Sequence, residues 1–177
     1  MNRRTWIWCM MALLAAGASV HAADGLRIVP IVADGQVLVS FDIADAYTDD
    51  VREAIASGLR TTFTYDVELR MVVPAWVDRT IATAVVGASD RYDNLTRRHS
   101  LSRSVDGRVN EMSVTEDRDV AGRWLTSFNR LSLCRTSKLD PSRDYYVRIR
   151  AHTRPPGSSL FGWTTVITGR ATFTFIP

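Results

Sequence analysis

The chain has few of the residues from which most metal centres and nucleophilic active sites are built. It contains two cysteines, three histidines and a single lysine, Lys138. Cys9 and His21 lie within the first 22 residues, an apolar segment typical of an export signal. Cys134 is then the only remaining cysteine, which excludes a disulfide within the domain. We expect it to be a small buried hydrophobe in a strand.

Several motifs that mark common chemistries are also missing. There is no glycine-rich phosphate loop, no dinucleotide-binding fingerprint and no nucleophile elbow of the G-x-S-x-G type. His99 and His152, the two histidines beyond the first 22 residues, have no close partner at metal-ligand spacing. The sequence therefore predicts no catalytic residue, no metal and no cofactor.

The N-terminus carries the clearest signal in the chain. Arg3 and Arg4 precede an apolar stretch from Trp6 to Val20, and Val20-His21-Ala22 fits the small-residue pattern that a signal peptidase recognises. We interpret residues 1–22 as a signal peptide and 23–177 as one exported domain. The predicted location is periplasmic or secreted after cleavage, with membrane contact only during export.

The near-neutral net charge of the domain predicts that nucleic acid is not its partner. Cleavage after residue 22 would remove two arginines and no acid, which leaves 20 basic and 19 acidic side chains in 155 residues. A domain this close to neutral has no overall field to attract a polyanion. Its length suits a single hydrophobic core.

Alternation of apolar and polar residues indicates that most of the domain is β-structure. Residues 36–43, 59–73, 145–152 and 170–175 alternate with a period of two, the pattern of a half-buried strand. A further strand is predicted at 76–86. Asp106-Gly107 separates two more candidate strands, at 95–104 and 108–114, and is a strong signal for a two-residue hairpin turn.

Two segments have helical periodicity instead. The first, 51–58, has Asp50 as its predicted N-cap, and the second runs from about residue 119 to 129. The predicted fold is α+β: mostly antiparallel β, as a sandwich-like or strongly curved sheet, with two packed amphipathic helices.

Two basic rows are the candidate binding residues. Arg97, Arg98 and His99 form one, and Arg148 with Arg150 forms the other. Guanidinium groups can hold phosphate or carboxylate through paired hydrogen bonds, so these residues predict an anion site. Each row is also compatible with a solvated strand face whose charges are paired.

Two alternative functions depend on other residues. Asp66, Glu68 and Asp78 are carboxylates that a hydrolase of envelope material would need, one of them with a raised pKa. A sheet curved around a cavity lined by Phe63, Tyr65 and Trp124 would instead make an apolar-ligand carrier. Both remain open from the sequence.

The chain resembles an uncharacterised family of exported proteobacterial proteins, domain-of-unknown-function family 4390. The resemblance rests on strand patterns and aromatic residues at 56–59, 62–69, 76–79, 92–97, 145–150, Trp163 and 169–175. It implies an envelope location and a single β-rich domain. It supplies no activity, cofactor or catalytic residue.

Together these features predict a non-catalytic binding or scaffolding module of the periplasm. An envelope protein is the expected partner, and no nucleic acid. Such domains recognise partners at sheet edges, where unpaired backbone groups accept an added strand. The oligomeric state stays open.

Overall fold

The structure, a computed structural model, describes residues 20–21, 25–44, 46–154 and 165–175. The predicted signal peptide lies outside this range except for Val20–His21. These described residues contain two α-helices, α1 (Asp49–Ala56) and α2 (Arg118–Thr126), and a 3-10 turn at Thr136–Lys138. The strands are β1 (Val20–His21), β2 (Leu26–Ala33), β3 (Gln36–Ile43), β4 (Thr61–Met71), β5 (Arg79–Asp93), β6 (Arg98–Val105), β7 (Arg108–Thr115), β8 (Ser127–Arg135), β9 (Asp144–Arg154) and β10 (Thr165–Thr174).

The strands form two antiparallel sheets that pack against each other. The large sheet has seven strands in the order β1-β10-β9-β4-β5-β6-β7, and the small sheet has three in the order β2-β3-β8. This sheet-rich α+β architecture with two helices confirms the predicted fold class. No helix in the described part of the chain has the length and hydropathy to cross a bilayer.

The large sheet has an inner face toward the core and an outer face toward solvent. Strand β4 shows the division most clearly, since Phe63, Tyr65, Val67 and Leu69 are almost completely buried while the residues between them are half-buried or exposed. The period of two predicted for 59–73 therefore holds over the eleven residues of β4. Residues 59 and 60 belong instead to the connection that follows α1.

Aromatic rings join the two sheets at the centre of the core. Phe41 on β3 stacks on Phe128 of β8 with ring centroids 4.9 Å apart. Tyr65 on β4 meets both rings at 5.1 and 5.2 Å, and its hydroxyl donates a hydrogen bond to the carbonyl of Leu125. Burial in this cluster raises the pKa of Tyr65 far above its ordinary value.

The hairpin predicted at Asp106-Gly107 is confirmed. Both residues have positive φ, 49° and 78°, as a two-residue turn of type I′ requires. They connect β6 to β7, which pair from Val105 opposite Arg108 to His99 opposite Thr115.

The helix boundaries differ from those predicted. Thr48, not Asp50, is the N-cap of α1, since its hydroxyl accepts a hydrogen bond from the Val51 amide. Helix α2 begins after Asp117 and ends at Thr126, so Phe128 belongs to β8. Phe128 was predicted to be helical because its spacing continues the pattern of α2, but a buried aromatic residue suits a strand equally well.

Strand β5 begins three residues later than predicted and extends to Asp93. Trp76 is 82% exposed and lies in the turn before it. The side chain of Asp78 holds this turn by accepting a hydrogen bond from the Val73 amide. Residues 76–78, which were predicted to begin the strand, therefore belong to this turn.

Candidate functional site

Charged side chains crowd the outer face of the large sheet where β4, β9 and β10 lie side by side. The register places Asp66 opposite Arg150, Glu68 opposite Arg148, and Arg148 opposite Arg170. Because cross-strand neighbours share a face, these side chains form one surface. We call this surface the arginine face; it comprises Asp66, Glu68, Arg70, Tyr146, Arg148, Arg150, His152 and Arg170.

Glu68 is the centre of the arginine face. Its two carboxylate oxygens accept hydrogen bonds from different arginines: Arg148 Nη2 lies 2.6 Å from Oε2, and Arg150 Nη2 lies 2.5 Å from Oε1. Arg70 Nη1 is 3.6 Å from Oε2. Burial alone would raise the pKa of Glu68, but the hydrogen bonds and charges of Arg148 and Arg150 outweigh it and hold the pKa below its usual value. Glu68 is therefore ionised at neutral pH.

The three arginines around Glu68 have many hydrogen-bond donors left over. A guanidinium group carries five N–H bonds, whereas Arg148 and Arg150 each give one to Glu68 and Arg70 gives one to the carbonyl of Asp78. The Nε atoms of all three are buried and have no hydrogen-bond partner among the described residues. Three cations face one carboxylate here, which leaves an excess of positive charge and of donors.

Three further contacts lie at the borders of the arginine face. On one side, His152 Nε2 lies 3.0 Å from Asp66 Oδ2. On the other, Tyr146 donates its hydroxyl proton to Asp78 Oδ2 over 2.8 Å, and that bond lowers the pKa of Asp78. The guanidinium of Arg170 lies 3.6 Å from the centre of the Tyr146 ring, a cation–π geometry.

The other predicted basic row is not part of this surface. Arg97 is exposed in the turn between β5 and β6, with a φ of 55°. Arg98 begins β6 and pairs with Glu116, its Nε 3.0 Å from Oε1. His99, the next residue, faces the interior because successive strand residues point to opposite faces. Neighbours in sequence are therefore separated in space.

His99 forms a buried pair with Asp90, whereas the sequence predicted ion pairs of this row on a solvated strand face. His99 Nδ1 lies 2.8 Å from Asp90 Oδ2, and Asp90 is fully buried. Burial raises the pKa of Asp90 although the hydrogen bond to His99 opposes the shift. The burial of Asp90 could have been predicted from its position, because it continues the alternation of Val86 and Ala88, whose side chains face the core.

A small pocket lies beside His99, between β5, β6 and the two helices. It is lined by Tyr47, Arg52, Ile55, Ala56, Tyr92, His99 and Arg118, and its volume is about 10 Å³. That volume is close to the minimum for one water molecule, too small for an organic substrate. Beside His99 this pocket therefore has room for no more than about one water molecule.

The residues named for a hydrolase and for an apolar-ligand carrier lie in surroundings that do not suit those functions. Glu68 and Asp78 both have lowered pKa values, opposite to what a general acid requires. Phe63 and Tyr65 are packed in the core, and Trp124 lies over the guanidinium of Arg103 at 4.2 Å. Their side chains make contacts with protein, as core residues do.

A model of the family described as Domain of unknown function (DUF4390) matches residues 26–155. The chain belongs to this family. The match runs from β2 to the end of β9 and so includes every residue of the arginine face except Arg170 on β10. No curated protein and no solved structure matches the chain.

The arginine face of this DUF4390 domain carries exposed guanidinium groups with unused hydrogen-bond donors, the chemistry that anion recognition requires. Within the described ranges, no three His, Cys, Asp or Glu side chains come together as metal ligands would. Cys134 is buried on β8, as predicted, and burial raises the pKa of its thiol. The arginine face is thus the strongest candidate site.

Proposed function

We propose that this DUF4390 domain is a non-catalytic binding module of the bacterial envelope, and that its arginine face holds an acidic group of a partner protein. The observation that carries the proposal is the set of three arginines arranged around Glu68. Arg148 and Arg150 are 30% and 41% exposed, so solvent and a ligand can reach them. Their positions are fixed by a shared carboxylate on the neighbouring strand.

Glu68 acts as a positioning residue in this proposal. A free arginine side chain loses considerable rotamer entropy when it binds a ligand. Hydrogen bonds to Glu68 hold Arg148 and Arg150 in place beforehand, which reduces that cost. The remaining N–H groups of the two guanidiniums suit a carboxylate or phosphate, which accept paired hydrogen bonds.

The first experiment measures binding of simple oxyanions. NMR titrations of the arginine Nε–H signals with sodium acetate or sodium phosphate, against sodium chloride at equal ionic strength, report directly on Arg148 and Arg150. We expect saturable shifts with the oxyanions. The double variant R148Q/R150Q should lose them, while the matched control Arg135→Gln, an exposed arginine at the end of β8, should keep them. Equal responses to acetate, phosphate and chloride would reject the anion site.

The second experiment tests for a protein partner. Crosslinking in the native envelope, followed by purification of the wild-type protein, should recover one acidic protein that the R148Q/R150Q variant fails to recover. The Arg135→Gln variant should retain it. If both variants retain the partner, recognition takes place elsewhere on the domain.

The envelope location rests on residues 1–22 and has its own test. The intact mass of the protein from the envelope fraction should correspond to a chain that starts at Ala23. Recovery of the uncleaved chain from the cytosol would contradict this part of the proposal.

A further inference from the structure

The turn between β4 and β5 exposes four apolar residues in succession. Pro74, Ala75, Trp76 and Val77 all lie on the surface, where Trp76 is 82% and Val77 73% exposed. A run of exposed apolar residues promotes aggregation, so it is uncommon on a protein surface unless it has a binding role. This run is therefore a candidate contact for a partner.

Residues at the end of the arginine face hold the turn in one conformation. The carboxylate of Asp78 accepts hydrogen bonds from the Val73 amide, at 3.3 Å, and from the Tyr146 hydroxyl, at 2.8 Å. Its carbonyl accepts one from Arg70 Nη2 over 2.8 Å, and the Trp76 amide donates to the carbonyl of Val73. A tryptophan on a fixed backbone loses little conformational freedom when a partner covers it.

The tip of the turn is also strained. Ala75 has a φ of 60°, in the left-handed region that residues with a Cβ rarely adopt. Strained backbone of this kind is concentrated at binding and active sites. Strain and exposed apolar side chains therefore coincide in this turn.

We propose that residues 74–78 extend the arginine face into one docking surface, and that its partner is a protein segment with one acidic and one large apolar side chain. The acidic group binds Arg148 and Arg150, and the apolar side chain packs on Trp76. This inference rests on the function proposed above and adds the apolar half of the recognition. Arginine, tyrosine and tryptophan are the residues that most often dominate the energy of an interface.

The separation of the two halves sets the spacing in the partner. Trp76 lies two positions before Asp78, which binds Tyr146, and Arg148 lies two positions after Tyr146. The two ends of the docking surface are therefore on the order of 15 Å apart, and an extended segment covers that distance with about five residues at ~3.3 Å each.

The charges of the docking surface favour a protein segment over a lipid membrane. Four arginines lie in it against three carboxylates, which leaves a surplus of one positive charge. Membranes of anionic lipids attract clusters of about four to eight cations, whereas a surplus of one matches a single acidic side chain. The arginines are Arg70, Arg148, Arg150 and Arg170, and the carboxylates are Asp66, Glu68 and Asp78.

Selection of random peptides displayed on phage tests both halves at once. Against the mature wild-type protein, we expect enrichment of peptides with Asp or Glu and, about five residues away, Trp, Phe, Leu or Met. Against R148Q/R150Q the acidic residue should not be enriched, and against Trp76→Ala the apolar residue should not be. Trp76 is too exposed for this substitution to unfold the domain.

The affinity of an enriched peptide, labelled with fluorescein, measures the apolar contribution. Fluorescence anisotropy should give a dissociation constant about tenfold higher for Trp76→Ala than for wild type. The matched control Leu95→Ala, 96% exposed in the turn at the other end of β5, should bind like wild type. Replacing the apolar residue of the peptide by alanine should weaken binding to wild type but not to Trp76→Ala, because that contact is already lost.

The outcomes separate this inference from the proposed function. Enriched peptides that carry acids but no apolar residue, or a Trp76→Ala variant that binds like wild type, would overturn the docking surface and leave the arginine face as the binding site. Enrichment of acids that survives R148Q/R150Q would overturn both. Absence of any enriched peptide would also overturn the inference, and Trp76-dependent flotation with vesicles of phosphatidylglycerol and phosphatidylethanolamine would then identify a membrane as the partner.

Discussion

Asp90 and His99 lie on neighbouring strands and form a buried pair, with Asp90 Oδ2 2.8 Å from His99 Nδ1. Neither side chain is more than 5% exposed. Each therefore depends on the other for the polar contacts that water would supply on the surface. The pair lies between the sheet and the two helices, next to Tyr92, whose ring centre is 4.7 Å from that of His99.

Removal of Asp90 should destabilise the fold strongly. Asp90→Ala leaves the buried His99 ring without its partner, and we expect the free energy of unfolding to fall by about 3 kcal/mol. The measurement is urea unfolding followed by circular dichroism. The control Asp50→Ala removes an exposed acid from the first turn of α1 and should cost less than about 1 kcal/mol. Equal losses in the two variants would contradict a role for the pair.

The acid stability of the protein should depend on Glu68. Its folded-state pKa is lowered below the ordinary 4.5, so the ionised form stabilises the fold above the unfolded pKa. That contribution is lost as the pH falls through the folded-state pKa. The effect of Glu68→Gln on unfolding free energy should be about 1 kcal/mol at neutral pH, because Arg148 and Arg150 are partly exposed.

The pH profile distinguishes this charge effect from a loss of packing. The difference between wild type and Glu68→Gln should shrink below pH 4.5. Asp90 acts in the opposite sense, since a raised pKa removes stability as the pH rises, but it is common to both proteins. The control Glu53→Gln, an exposed residue of α1, should change the unfolding free energy by less than about 0.5 kcal/mol at neutral pH. A flat profile for Glu68→Gln would count against the arginine contacts.

Strands β3 and β9 were predictable from the sequence because the alternation of their residues has a simple physical cause, and both fall close to the predicted segments. The segment that forms β7 was predicted from the adjacent Asp106-Gly107 turn, and β2 was not predicted. The same alternation was ignored when Arg97, Arg98 and His99 were grouped by nearness in the chain. A period of two sends Arg98 outward and His99 inward, so the group could not have formed one surface.

The arginine face was only half predictable. Arg148 and Arg150 could be assigned to one strand face from their spacing. Their shared partner Glu68 is about 80 residues away in the chain, and the contact depends on the register between β4 and β9. Register over such a separation is set by core packing on the opposite face, which the local pattern does not encode.

A methyl group at Gly169 should disturb the contact between the two sheets. A Cβ at this position on β10 would lie 2.8 Å from Leu26 Cδ2 and 3.0 Å from Ile28 Cδ1, both on β2. Leu26 is almost fully buried and has little room to move. Gly169→Ala should therefore lower the free energy of unfolding by about 1–3 kcal/mol. The control Thr168→Ala, at the exposed residue before Gly169, should change the free energy of unfolding little. If Gly169→Ala also leaves the free energy of unfolding unchanged, the two sheets can separate locally.

Arg103 closes the end of α2 through the shape of its guanidinium as well as its charge. Its Nη2 donates hydrogen bonds to the carbonyls of Trp124, at 3.1 Å, and Ser127, at 2.7 Å. The group lies between the rings of Trp124 and Phe128. Arg103→Met keeps an apolar stem but leaves both carbonyls without this donor, so we expect unfolding free energy to fall by about 2 kcal/mol.

Replacement of Arg103 by lysine separates shape from charge. An ammonium group is a compact charge that cannot spread over two rings and reach both carbonyls, so Arg103→Lys should recover less than half of the loss caused by Arg103→Met. The control Arg123→Met, on the exposed side of α2, should cost less than about 1 kcal/mol. Urea unfolding measures all three variants. A lysine variant as stable as the wild type would mean that positive charge alone holds the end of α2, and the planar contact with Trp124 and Phe128 would then have no energetic role.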